Sequence, residues 1–310
     1  MLALLVFASL LLELAVCLAI GIHLTAHGWD ALQLAALAIG WVSGSRLLLV
    51  SLSMAMGHMA RSPRTPGQQL GPRTTLRLVA GEWFAMLANN LIVLPFERFI
   101  VRRDPTVAPA ARVPVVLVHG YVSNRGLFAP AIRALEDAGV APLFTHNFDR
   151  LFAPIETWAD ELDAIVRQIV ECTGQPKVIF LCHSMGGLVA RAYASRHGAS
   201  RVARLITIAS PHHGTLAARR GVGANARQMR RESVFLTQLA TGEGEQGPGF
   251  PATSIWSVHD NLVIPQETSR LPWAKNVAVC GLGHLNILRS AEVHGLLLEE
   301  LREAGALPVP

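Results

Sequence analysis

The chain has 310 residues, 51% of them hydrophobic and only 16% charged, with a formal net charge of +5. So apolar a composition excludes an ordinary, fully solvated domain and points to contact with lipid. The arginines are scattered or lie near apolar stretches without interleaved aromatics, which argues against a nucleic-acid partner and for membrane-surface charge. The four cysteines, Cys17, Cys172, Cys182 and Cys280, form no CxxC pair and have no zinc-like spacing with histidine, so they read as small buried hydrophobes and no metal is expected.

Residues 2–22 are apolar except for Glu13, and residues 31–57 except for Arg46. Each run is long enough to cross a hydrocarbon core of ~30 Å as a helix, which takes about 20 residues. The first lacks a basic leader and a small-x-small cleavage site. In Leu14-Ala15-Val16-Cys17, Val16 stands where a lipoprotein signal needs a small residue, so the segment reads as a retained anchor. Glu13 and Arg46 are costly in lipid and are expected to pair or to lie near an interface. Residues 1–60 thus form a membrane-anchoring region with two predicted transmembrane helices. Residues 61–77 carry Arg61, Arg64, Arg73 and Arg77 with no acid, which favours the cytoplasmic side of the membrane for this stretch. Residues 78–96 are apolar but include Glu82, Asn89, Asn90 and Pro95, with Trp83, Leu87, Leu91 and Leu94 on one helical face. A helix lying on the membrane or packed against the rest of the chain is expected there. The alternative is a third span, which would put the remainder of the chain on the opposite side. Residues 61–104 are therefore a basic linker followed by an apolar surface helix or third membrane helix.

From about residue 105 short apolar runs alternate with longer helical patterns, which predicts an α/β fold with a mainly parallel sheet flanked by helices. Strands are expected at 113–118, 141–148, 176–182, 204–209, 253–258 and 276–280. Helices are expected at 126–138, from 155 to about 169, at 184–197 and at 286–304. Residues 215–250 separate two core strands and should cap the site, with Met229, Phe235, Leu236 and Leu239 as apolar surface and Arg219, Arg220, Arg227, Arg230 and Arg231 as a basic face suited to anionic headgroups.

Cys182-His183-Ser184-Met185-Gly186-Gly187 falls between a strand and a helix. It is a G-x-S-x-G elbow whose first glycine is replaced by cysteine, and the sharp turn needs small residues two before and two after the serine. Ser184 is the candidate nucleophile. An oxyanion needs two N–H donors from different loops; Met185 and Tyr121, the latter in Leu117-Val118-His119-Gly120-Tyr121, are the candidates. In this fold type the acid and then the histidine follow the serine. Asp260, the last aspartate, ends a predicted strand, with Glu267 as the alternative acid. His284 lies on a glycine-flexed loop, whereas His294 lies in the final helix. His119, Gly120, His183, His213 and Phe235 are the expected substrate-contacting residues, and His212-His213 reads as a pocket loop rather than a metal site.

LVHGY, CHSMGG, ASPHHGT, HDNLVIP and GLGHLNIL occur in this order over roughly residues 112–303. Together they resemble the bacterial lipase and esterase branch of the α/β-hydrolase superfamily. The resemblance implies a cap between the family's sixth and seventh strands and a catalytic domain at 105–310. It also implies carboxylic-ester hydrolysis through an acyl-enzyme, with no cofactor. Some related lipases hold a structural calcium, but no ligand set for it can be matched in this sequence. The expected partners are a lipid or other small ester substrate and membrane lipid, with no nucleic acid. The expected place is a bacterial inner membrane, catalytic domain on the cytoplasmic side. A thioesterase, amidase or acyltransferase would use the same three residues.

Overall fold

The computed structural model describes residues 2–101 and 110–307. The expected boundary near residue 105 lies outside the described residues. Helix α1 (Leu2–Thr25) and helix α2 (Ala31–Met59) form an antiparallel hairpin. Asp30 starts α2 by accepting the Gln33 N–H at 2.8 Å, while the Gln33 side chain accepts the Asp30 N–H at 2.9 Å. This reciprocal cap satisfies two backbone donors that a helix start otherwise leaves open. Glu13 and Arg46 form a two-pronged ion pair between the helices, which spares an apolar hairpin from two separate unpaired charges.

Helix α3 (Pro72–Ala88) continues into a π-helical turn, Asn89–Val93, and a short helix α4 (Glu97–Ile100) follows. By length and composition the segments Leu2–Thr25, Ala31–Met59 and Pro72–Val93 could each cross a membrane. The third is docked, however. Its buried stripe is Leu78, Glu82, Ala85, Asn89 and Val93. Of the predicted face, Leu94 is buried while Trp83, Leu87 and Leu91 are half-buried, and Trp83 Nε1 donates to the Ser43 carbonyl of α2 at 3.0 Å. The side of α3 that faces the protein carries Glu82, which accepts backbone donors there, while the apolar Leu76, Phe84 and Ile92 stay exposed.

The second half holds strands β1 (Val115–Val118), β2 (Leu143–Thr145), β3 (Val178–His183), β4 (Val202–Ile208), β5 (Ala252–Ser257) and β6 (Lys275–Val279). They form one sheet in the order β2-β1-β3-β4-β5-β6 with every pair parallel. The segment 215–250, expected to cap the site between a sixth and a seventh strand, falls between β4 and β5, the fourth and fifth strands among the described residues. Side chains alternate across the strands. Val116, Val118, Phe180 and Cys182 enter the core shared with α6 (Ile155–Thr173) and α7 (Met185–His197), whereas Val115, Leu117, Ile179 and Leu181 enter the core shared with α5 (Ala129–Asp137) and α10 (Ala291–Glu303). Burial on both faces explains why β1 and β3 read as unbroken apolar runs. Each large side chain buried there contributes about 1.5–3 kcal/mol. That two-sided core holds the C-terminal strand ends, where the candidate site forms.

Candidate active site

β3 reverses into α7 at Ser184, whose φ of 56° and ψ of −127° lie far from either element. A non-glycine residue takes such a backbone only where its surroundings enforce it. The enforcement is packing. A Cβ on Gly186 would sit 2.1 Å from the Val118 carbonyl oxygen, and one on Gly187 would sit 2.4 Å from Ser210 Oγ. At the position where glycine was expected, the Cys182 side chain points into the core and is fully buried. Burial pushes its thiol well above the usual range, so it is a small protonated filler.

Ser184 Oγ lies 3.0 Å from His284 Nε2, and His284 Nδ1 lies 2.9 Å from Asp260 Oδ2. The carboxylate only accepts, so Nδ1 carries the hydrogen and Nε2 is the acceptor for the serine hydroxyl. Asp260 Oδ1 accepts the Leu262 and Val263 N–H groups at 2.7 and 2.8 Å, so both its oxygens are fixed. Burial lowers the His284 pKa, but the charge of Asp260, its hydrogen bond and the charge of Glu82 more than offset this, and the imidazole is held above its ordinary value.

The loop carrying His284 is clamped from several sides. Asn261 Oδ1 accepts the His284 N–H at 2.9 Å, and His183 Nε2 donates to the His284 carbonyl at 3.0 Å. His183 is buried and its pKa is pushed well down, by desolvation first and by the nearby His284 charge second, so it is a neutral donor. The fully buried Glu82 of α3 accepts the Leu285 N–H at 2.9 and 3.1 Å and the Asn286 N–H at 2.9 Å. Gly283 is small because a Cβ there would lie 2.6 Å from Glu82 Oε2. Asn261 in turn donates to Ser53 Oγ of α2 at 2.8 Å. Glu82 and Asn261 were not read as site residues in the sequence. The signal available for Glu82 was a carboxylate in an apolar helix, with Asn89 two turns further along the same face.

Beside Ser184 lies a cavity of about 400 Å³, lined by Gly120, Tyr121, His183 and His284 and walled by Met86, Asn89 and Leu94 from α3 and the segment after it, and by Met229 and Leu262. Gly120 fits because a Cβ would approach Ser184 Cβ to 2.8 Å. Among the described residues neither the Tyr121 nor the Met185 backbone N–H donates to another backbone group. Tyr121 Oη donates to the Val222 carbonyl and accepts the Val222 N–H, each at 2.8 Å, tying the loop to the cap.

Three residues expected in the pocket lie elsewhere. His119 is buried between Phe148 and Trp158, with Nε2 accepting the Phe148 N–H at 3.4 Å and Nδ1 donating to the Gly120 carbonyl. Desolvation lowers its pKa to about 4, which suits a neutral loop support. His213 lines a separate groove with Glu267 and Arg270. Phe235 is drawn into the core because its helix, α9 (Val234–Glu243), packs on α7 and buries its apolar side there. Of the cap's expected apolar residues, only Met229 reaches the cavity. His294, in α10, bonds the Leu288 carbonyl. Among the described residues no three His, Cys, Asp or Glu side chains gather as metal ligands.

A family model described as the alpha/beta hydrolase fold matches residues 113–233. Among solved structures the chain is similar to the mature form of a Bacillus licheniformis lipase, at 18% identity over 64% of this chain and 96% of that one, with a TM-score of 0.53. It is also similar to Aspergillus fumigatus lipase B, at 14% identity over 86% of this chain and 84% of that one, with a TM-score of 0.60. At such identities the likeness is one of fold. Strand order, the turn at Ser184 and these matches agree: the chain has the α/β-hydrolase fold.

Proposed function

We propose that the protein is a membrane-attached serine hydrolase of carboxylic esters with lipid-like acyl groups. The observation that carries this reading is the continuous relay from Ser184 Oγ to His284 Nε2 at 3.0 Å and from His284 Nδ1 to Asp260 at 2.9 Å, opening onto a mostly apolar cavity. His284 takes the hydroxyl proton as Ser184 attacks the ester carbonyl. Asp260 holds the required tautomer and stabilises the imidazolium. The backbone N–H groups of Tyr121 and Met185 receive the oxyanion, Met185 at the positive end of α7. His284 then protonates the departing alcohol, and water repeats the sequence on the acyl-enzyme.

Lipid-like substrates fit because one wall of the cavity comes from α3 and the turn after it, an apolar segment long enough to cross a membrane. The solved neighbours that are lipases agree with the chemistry. The basic stretch after α2 supports a cytoplasmic catalytic half. The test is hydrolysis of aryl esters of graded acyl length by the detergent-solubilised full chain and by Ser184→Ala. Activity that disappears in the variant supports the reading, and the length optimum then defines the acyl pocket. Equal activity in both proteins refutes it. Thioester or amide cleavage without ester cleavage would move the reaction to a thioesterase or amidase.

A further inference from the structure

A groove of about 940 Å³ lies at the end of α2, between the linker that follows it, the start of α3 and the loop after β5. It shares no lining residue with the cavity beside Ser184. Its charged side chains are Arg61, Arg64 and Asp260, with His58 and His259 beside them. Asp260 forms no ion pair with either arginine: its oxygens are turned to the Leu262 and Val263 N–H groups and to His284. Arg64 uses Nε to donate to the Val258 carbonyl at 3.1 Å, which leaves its two terminal nitrogens for another acceptor. Arg61 rests on the His58 ring. Among the described residues neither arginine is paired with a carboxylate.

His259 lines the groove beside the arginines. Its Nδ1 accepts the Gly281 N–H at 3.1 Å, so Nε2 carries the hydrogen, and that buried atom has no partner in hydrogen-bonding geometry. Burial and the charge of Arg64 lower its pKa to about 4, against the opposing pull of the Gln68 carbonyl. The ring is therefore a neutral donor. Burial and the charge of Arg61 likewise lower the Arg64 guanidinium. Two like charges without a carboxylate in contact, one of them partly desolvated, and a buried imidazole N–H with no partner in hydrogen-bonding geometry form a cluster that an anion would stabilise.

We infer that this groove is a second binding site, for a phosphate-bearing anion, whose occupant joins the α2–α3 connection to the loop that carries Asp260. A guanidinium fork suits a phosphate with several oxygens better than a monatomic anion. The occupant would also brace the acid loop, since Arg64 holds Val258 and the Gln266 side chain holds the Asp260 carbonyl at 2.8 Å. The phosphate could belong to a lipid headgroup, given the groove's place at the end of an apolar helix long enough to cross a membrane, or to a soluble molecule.

The inference does not depend on the reaction at Ser184, and its test reads stability rather than turnover. The thermal unfolding midpoint of the full chain is measured in phosphatidylcholine nanodiscs. Inorganic phosphate is added against chloride at equal ionic strength, and in a second arm part of the phosphatidylcholine is replaced by phosphatidylglycerol. The midpoint should rise in at least one arm. A rise with inorganic phosphate assigns a soluble ligand; a rise with phosphatidylglycerol alone assigns a headgroup. At about fivefold per cation, Arg61→Gln/Arg64→Gln should need about 25-fold more of the active probe for the same rise. The exposed Arg61→Gln alone, which keeps the Arg64–Val258 bond, should need about fivefold more and guards against misfolding of the double variant. Arg219→Gln/Arg231→Gln in the cap should respond as wild type. No rise with either probe, or an equal rise in the Arg61 variants, would overturn the site.

Discussion

Replacing Glu82 tests whether the apolar N-terminal third, proposed as a membrane anchor, also supports the candidate active site. Glu82→Ala leaves the Leu285 and Asn286 N–H groups without their acceptor. Each buried donor so stranded costs about 1–3 kcal/mol, so the variant should lose about 2–6 kcal/mol of local stability, concentrated in the loop that carries His284. A displacement of ~1 Å in a catalytic group is enough for about 10²-fold in rate, and that is the expected fall in kcat/KM. The loss should fall on kcat rather than KM, because Glu82 does not line the cavity. The pH profile supplies a readout that mere unfolding would not give. As the proposed base His284 must be neutral, and the charge of Glu82 helps to raise its pKa. Glu82→Gln removes that charge and keeps one acceptor oxygen, so the acidic limb of kcat/KM should move to lower pH. The assay is ester hydrolysis across pH, normalised to active sites titrated with an acylating inhibitor. Full activity with an unmoved acidic limb in both variants would refute the reasoning and reduce α3 to an anchor.

Ser184→Ala should lower turnover by about 10⁴–10⁶-fold with little change in unfolding midpoint. Asp260→Asn should lower kcat by about 10⁴-fold, because the amide can present a donor to Nδ1 and favour the wrong tautomer; single-turnover acylation measures it. Wild-type kcat/KM should fall as pH drops through a midpoint above the ordinary histidine value of about 6.5. The sign follows from the raised His284 pKa, and by linkage the stabilisation that protonated His284 supplies is full below about 6.5 and is lost as pH rises through the folded value. Met86→Trp, which fills part of the cavity wall, should shift the preferred aryl ester to shorter acyl chains while Ser184 still acylates.

The α/β architecture could be read from the sequence, since short unbroken apolar runs such as β1 and β3, alternating with the helical period of segments such as α6, are local consequences of burial on a two-sided sheet. The sequence also pointed to Ser184, Asp260 and His284, because chain order and strand ends constrain which serine, acid and histidine can meet at one sheet edge. Pairing of Glu13 with Arg46 was legible because two charges in adjacent apolar helices have few other partners. Only the tertiary structure decided what faces the reacting atoms. His119 and Phe235 went to the core and His213 to another groove, since the same apolar pattern serves a pocket wall and a packed interior equally well. Glu82 and Asn261 stayed hidden for the complementary reason. Glu82 meets Leu285 across 203 positions, and Asn261 joins Ser53 to the His284 loop across 208. No local period records which buried backbone donor, that far along the chain, a carboxylate must satisfy.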